Sequence, residues 1–145
     1  MPVAYLDLPP GLGVDIKKNL HKEVAEFMHN AWQIPDTRVF LHEWPAEQIS
    51  IDGEVGHPLR PVCNFHGPKL PMEAKRQLVS RVSSAIAEAC NLPREDVPLP
   101  SGKKVSTRWV LGLFSEYPLD QASLDDLMAF DNPMVLESME AAMQT

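Results

Sequence analysis

Hydrophobic positions change period twice in the first half of the chain and repeat the change in the second. Ala4, Leu6 and Leu8 alternate with Val3, Tyr5 and Asp7, the pattern of a strand with one buried face, and Pro9-Pro10-Gly11 ends the run. From Val14 the step lengthens to three and four. Ile16, Leu20, Val24, Phe27, Met28 and Ala31 form one apolar stripe, while Lys17, Lys18, Lys22, Glu23 and Glu26 face water. Ile34-Pro35 closes this helix, because a residue before proline is pushed out of the α region. Arg38 to Glu43 then reads as a second strand. Strand, helix and strand in about forty residues make a βαβ unit with a right-handed crossover.

The same order restarts at Pro61. Pro2, Val3 and Pro9 recur as Pro61, Val62 and Pro68, offset by 59, and Lys17, Leu20, Val24, Ala31 and Pro35 recur as Lys75, Leu78, Val82, Ala89 and Pro93, offset by 58. The block from Glu43 to Asp52 resembles that from Glu116 to Asp125. Three matching blocks in collinear order indicate a fused duplication.

The second copy carries about fifteen extra residues between Pro93 and Glu116. Within the 94–107 stretch, Pro98 to Lys104 has turn chemistry and a basic tip, which predicts a loop ahead of a last strand from Arg108 to Phe114. Ser123 with Asp126 fits a capping box, predicting a short helix over Leu124 to Phe130. Asp131-Asn132-Pro133 breaks it. A Met- and Glu-rich helix over Met134 to Met143 follows, able to pack on a neighbour or fray.

The expected architecture is α/β, a single domain over residues 1–145. A first βαβ unit spans about 2–54, a second about 61–125 and a helical tail about 126–145. The two units form a four-stranded mixed sheet with two helices on one face. The other face needs cover, which another copy of the chain supplies most simply.

Composition narrows the function. Thirteen Lys and Arg against twenty Asp and Glu leave a net charge of −7, which argues against binding nucleic acid. No apolar run approaches the ~20 residues that a bilayer crossing needs, so no membrane partner is expected. The N-terminus has no basic stretch followed by an apolar one, and Cys63 and Cys90 stand apart without a CxxC. Both point to a cytoplasmic protein with reduced thiols. His21, His29, His42, His57 and His66 show no ligand spacing, and the glycines form no phosphate-cradling loop, so neither a metal nor a cofactor is expected.

Pro2 is the residue with chemistry. If Met1 is removed, Pro2 carries a secondary amine at the start of the first strand. Partial burial beside cations disfavours its protonated form and leaves a rigid base. Pro2-Val3-Ala4 opening a strand, an amphipathic helix, a second strand ending in Glu43-Trp44-Pro45, then Ile49-Ser50-Ile51-Asp52-Gly53-Glu54 resemble the tautomerase superfamily. The match is to 4-oxalocrotonate tautomerase-like units over Pro2 to Glu54, with a weaker second copy from Pro61 to Asp125. Length and duplication are similar to its fused members, among them cis-3-chloroacrylic acid dehalogenase and malonate semialdehyde decarboxylase.

The resemblance implies a tautomerase/MIF-like fold, a homotrimer, and an isomerase moving a proton between keto and enol forms of a small 2-oxo or 2-hydroxy unsaturated carboxylic acid. Pro2 would be the base, and Arg38 would hold the substrate carboxylate. His29 would stand where dehalogenase-like members carry a substrate-binding histidine. Pro61, an internal amide, has no basic nitrogen. Leu12 stands where an arginine usually follows the first strand, and Ile49 replaces a pocket-closing aromatic; Trp44 or Trp109 would supply apolar wall. The dehalogenase's arginines fall on Gly67 and Leu70, its glutamate on Leu124 and its tyrosine on Leu113. Those absences disfavour dehalogenation unless Lys69, Arg60, Arg108 or Asp125 substitutes. The implied set is Pro2, Arg38 and His29 in catalysis, with Arg108, Lys69, Trp44 and Ile49 binding substrate. The alternatives are a hydratase, dehalogenase or decarboxylase of a three-carbon acid on the same proline, or a non-catalytic oligomeric scaffold.

Overall fold

Ala4, Leu6 and Leu8 lie buried beneath two helices, and Tyr5 between them stands open on the opposite side. A computed structural model describes residues 1–56 and 60–143; His57 and the last two residues of the tail lie outside the described residues. Strands β1 (Val3–Leu8), β2 (Arg38–Glu43), β3 (Ser50–Ile51), β4 (Glu54–Val55) and β5 (Val62–Gly67) are joined with helices α1 (Val14–Trp32) and α2 (Met72–Ala89). Then come β6 (Glu95–Pro98), β7 (Lys104–Thr107), β8 (Leu111–Glu116), β9 (Ser123–Leu124), β10 (Leu127–Met128) and helix α3 (Pro133–Met143).

The main sheet runs β2-β1-β5-β8. β1 is parallel to β2 in the register Val3 to Arg38 and Leu8 to Glu43, and β5 is parallel to β8 with Val62 opposite Leu111 and Gly67 opposite Glu116. The two units meet through antiparallel β1 and β5, where Val3 faces His66 and Leu6 faces Cys63. Leu20, Val24, Met28 and Trp32 of α1, and Leu78, Val82 and Ile86 of α2, pack with Phe65 and the buried side of β1 into one core. Their four-residue spacing keeps the apolar stripe over the sheet. Ile16, part of the expected stripe, is instead 45% exposed, one turn too early to reach the sheet.

The duplication is written in the backbone. Among the described residues, six non-glycine residues have positive φ, and they fall into three pairs. Gln33 and Asn91 end the helices at φ 56° and 52°, Asp36 and Trp109 precede the second strands at 64° and 62°, and Asp52 and Asp125 turn the small hairpins at 53° and 57°. Side chains other than glycine rarely adopt this region, so coincident use at matched positions reflects one ancestral path. Two ion pairs repeat as well. Lys17 Nζ lies 2.8 Å from Glu43 Oε1, and Lys75 pairs with Glu116, each tying the first turns of a helix to the end of its second strand.

Four local expectations change. The 94–107 segment is a β-hairpin, β6 pairing antiparallel with β7 from Glu95–Thr107 to Pro98–Lys104, with Gly102 turning its tip at φ 87°. Few apolar residues mark these strands, because Val97 and Val105 alone alternate with charged or polar neighbours. The last strand begins at Leu111 rather than Arg108, since Trp109 in the left-handed region interrupts extended backbone. The short helix over Leu124 to Phe130 is absent: β9 and β10 form a hairpin that repeats β3 and β4, so Ser123 and Asp126 cap nothing. Pro133, expected to break that short helix, instead starts the tail helix. A proline at the first helical position sacrifices no hydrogen bond, and the Asn132 side-chain oxygen accepts the Met134 N–H at 3.0 Å.

Candidate active site

The beginning of the chain is enclosed by its far half. The Pro2 side chain is fully buried, and its carbonyl accepts the Arg38 N–H at 3.0 Å, extending the β1–β2 pairing to the chain start. Met1 is only 8% exposed. The Tyr117 hydroxyl donates to the Met1 carbonyl at 2.9 Å. Around them opens a cleft of about 220 Å³. Met1 and Val3 form its floor, Asp36 and Arg38 one wall, and Tyr117 with Gln121 to Leu124 the other.

The antiparallel junction explains this composition. It sets the start of β1 beside the end of β5, and β8, parallel to β5, delivers Tyr117 there; the Tyr117 N–H donates to the Gly67 carbonyl at 3.0 Å. The first unit therefore supplies Met1, Val3, Asp36 and Arg38, with Pro2 buried beside them, and the second supplies the cover.

Arg38 is oriented before any ligand arrives. Its Nε and Nη2 donate to the two carboxylate oxygens of Asp36 at 3.0 and 2.9 Å. The left-handed turn at Asp36 brings the carboxylate to the fork. This bidentate pair holds the Asp36 carboxyl below its usual range. It leaves three of the five guanidinium N–H groups free. The Met1 amine is lowered from 8.0 to about 6, chiefly because burial penalises its charge; Arg38 adds to the fall and Asp36 opposes it. Burial also raises the Tyr117 hydroxyl. The cleft thus favours a neutral amine at neutral pH and keeps the phenol protonated.

Of the residues expected from sequence, the structure brings Pro2 and Arg38 together. It places the others elsewhere within the chain. His29 is exposed in the last turn of α1, offering only its carbonyl, to the Gln33 N–H at 2.7 Å. Lys69 is exposed in the turn before α2. Arg108 lines a different cavity, at the root of the β6–β7 hairpin. Trp44 follows β2, with its indole N–H on Asp7 at 2.7 Å and its ring 4.4 Å from that of His42. Ile49 lies on the same segment and, like Trp44, outside the cleft lining. Their counterparts under the duplication, Tyr117 and Ala122, line the cleft instead. Asp36, Tyr117 and Leu124 were not recognised as site residues. The repeat of Glu43–Asp52 as Glu116–Asp125 covers Tyr117 and Leu124, whereas Asp36 lies outside it.

The second unit's counterpart differs. Arg60 stands where Met1 does, its guanidinium 3.8 Å over the ring of Trp109, and Leu111 replaces Arg38 in the strand register. Among the described residues, no three His, Cys, Asp or Glu side chains gather as a metal site, and no helix is long and apolar enough to cross a membrane.

No protein-family model matches the chain, and no curated protein matches it by sequence. Solved structures do. A fused 4-OT symmetric trimer superposes with TM-score 0.72 at 17% identity, covering 89% of this chain and 97% of that one. Pt0534 inactivated by 2-oxo-3-pentynoate gives 0.63 at 17% identity over 87% and 94%. Malonate semialdehyde decarboxylase gives 0.55 at 17% identity over 84% and 89%. These neighbours are tautomerase-superfamily proteins. The chain therefore has the tautomerase-superfamily fold in its two-unit, fused form.

Proposed function

We propose that the chain, once Met1 is removed, is a cofactor-independent tautomerase acting on a small unsaturated 2-oxo or 2-hydroxy carboxylic acid, with the Pro2 nitrogen as base. The observation that carries this reading is the cleft that joins the chain start to Arg38 and Tyr117. Burial lowers the Met1 amine, and Pro2 is buried more deeply still, so the same desolvation favours the neutral form of a prolyl amine there. Neutral Pro2 takes the enol hydroxyl proton or a proton from carbon beside a carbonyl, then returns it to the other end of the three-atom system. The free edge of Arg38 holds the substrate carboxylate, and the Tyr117 hydroxyl, released from the Met1 carbonyl, donates to the enolate oxygen as charge develops there.

Hydration, dehalogenation or decarboxylation on the same proline is the second reading. It is favoured by the likeness to malonate semialdehyde decarboxylase, whose hydratase activity is described with its structure. Leu124 supplies no carboxylate to activate water, and the Asp36 carboxylate in the cleft is engaged through both oxygens by Arg38, which supports the tautomerase. A homotrimer completes the proposal. Tyr5, Phe40, Leu111 and Leu113 are 45%, 52%, 51% and 43% exposed on the open sheet face, with Tyr5 stacked on Phe40 at 5.4 Å, and the fused 4-OT neighbour is a trimer. Sedimentation should give three times 16.2 kDa.

The test combines intact mass with turnover. Protein lacking Met1 should ketonise a 2-hydroxydienoate, followed by its ultraviolet absorbance, faster than it hydrates propiolate. Pro2→Ala should lose about 10²-fold or more. Equal turnover by protein that retains Met1 would refute the proline base.

A further inference from the structure

The fifteen-residue insertion in the second unit builds a second cavity, of about 220 Å³, where the β6–β7 hairpin joins the body. Its lining is almost wholly polar: Ser83 and Ser84 of α2, Arg94 ahead of β6, Ser106 and Thr107 at the end of β7, and Arg108. The first unit has no such place. It lacks the hairpin, and the positions matching Ser83 and Ser84 are Ala25 and Glu26.

The charges here are unspent. Among the described residues, neither Arg94 nor Arg108 pairs with a carboxylate. Glu95, next to Arg94 in the chain, accepts the Trp109 indole N–H at 2.8 Å. Arg108 Nε is buried from water with no acceptor, a donor that an arriving anion would satisfy. Thr107 Oγ1 accepts the Trp109 N–H at 3.1 Å and keeps its own hydrogen to donate. In a chain with net charge −7, two free guanidinium groups converging on hydroxyl donors form a local positive site against the global field.

We propose that this cavity binds a phosphate-class anion, either inorganic phosphate or the phosphoryl group of a small monoester. Arginine forks match phosphoryl oxygens, and hydroxyl residues on two separate elements, α2 and β7, line the same cavity, suiting a tetrahedral anion with several acceptors better than a planar carboxylate. The site is separate from the cleft at Met1 and does not depend on its chemistry.

Titration calorimetry on the full chain at constant ionic strength, with inorganic phosphate as probe, tests this. Saturable binding is expected. Arg108→Gln and Arg94→Gln should each weaken it at least tenfold, and Ser84→Asp, at an exposed helix position, should abolish it with an unchanged circular dichroism spectrum. Arg38→Gln should leave it unaltered. Tighter binding of glycerol phosphate would identify an ester as ligand, and equal or weaker binding would identify free phosphate; both support the site. No saturation, equal binding of acetate, loss in Arg38→Gln, or binding that survives both Arg108→Gln and Ser84→Asp would overturn it.

Discussion

The Tyr117 hydroxyl donates to the carbonyl of Met1 at 2.9 Å, joining a residue after the last long strand to the first residue of the chain. Removing Met1 takes this acceptor away and leaves a protonated phenol facing the space beside Pro2. Tyr117→Phe should therefore preserve the fold and cut kcat/KM roughly tenfold, the worth of one hydrogen bond to a developing charge. Initial rates on Met1-free protein check this, and an unchanged rate would remove Tyr117 from the chemistry.

Arg38→Gln should lower kcat/KM by about 10² or more, mostly through KM, because the carboxylate clamp is lost. Arg38→Lys should recover little, since an ammonium cannot serve Asp36 and a ligand along two edges. Arg38→Gln also leaves Asp36 without its partner while removing a cation that lowers the terminal amine. The amine then binds its proton more tightly, so the acidic limb of the pH–rate profile should move upward.

pH acts on stability through the same group. In protein that retains Met1, the folded-state amine titrates at about 6 against 8.0 when unperturbed. Between those values the unfolded chain holds more protons, so this group makes stability rise as pH goes from 6 to 8. Denaturant midpoints compared with those of an N-acetylated chain isolate the effect; the acetylated protein should show the smaller rise over that interval.

Gly67 closes the end of β5 against Trp32. A β-carbon there would lie 2.8 Å from the indole ring, and that indole is fixed by donating its N–H to the Pro68 carbonyl at 2.8 Å. Gly67→Ala should cost ~1–3 kcal/mol by overpacking. Gly13→Ala, where no atom lies within 4 Å of the added carbon, serves as the control in thermal unfolding.

Most of the scaffold was legible because its periodic signals are strong. The stripe of Leu20, Val24 and Met28 and its echo in Leu78, Val82 and Ile86 fixed the helices, and the alternation through Leu8 fixed the first strand. What escaped was set by geometry or by weak local signals. The β6–β7 hairpin hides among charged residues. Ser123 and Asp126 imitate a cap, yet their segment forms a hairpin like the matched Ser50–Val55. The site was half legible. Pro2 and Arg38 belong to one unit and could be read together, whereas Tyr117 reaches them only through the antiparallel seam between Leu6 and Cys63, which no linear motif encodes.

That seam bears on the order of events during synthesis. Met1 is made well before the groups of residues 117–124 that bury it. An aminopeptidase has access to it while the nascent chain is short and its end hangs free; once Tyr117 has docked, the same bond is sealed inside. Slow excision, or translation fast relative to it, would therefore leave a trapped methionyl fraction that later processing cannot rescue without unfolding.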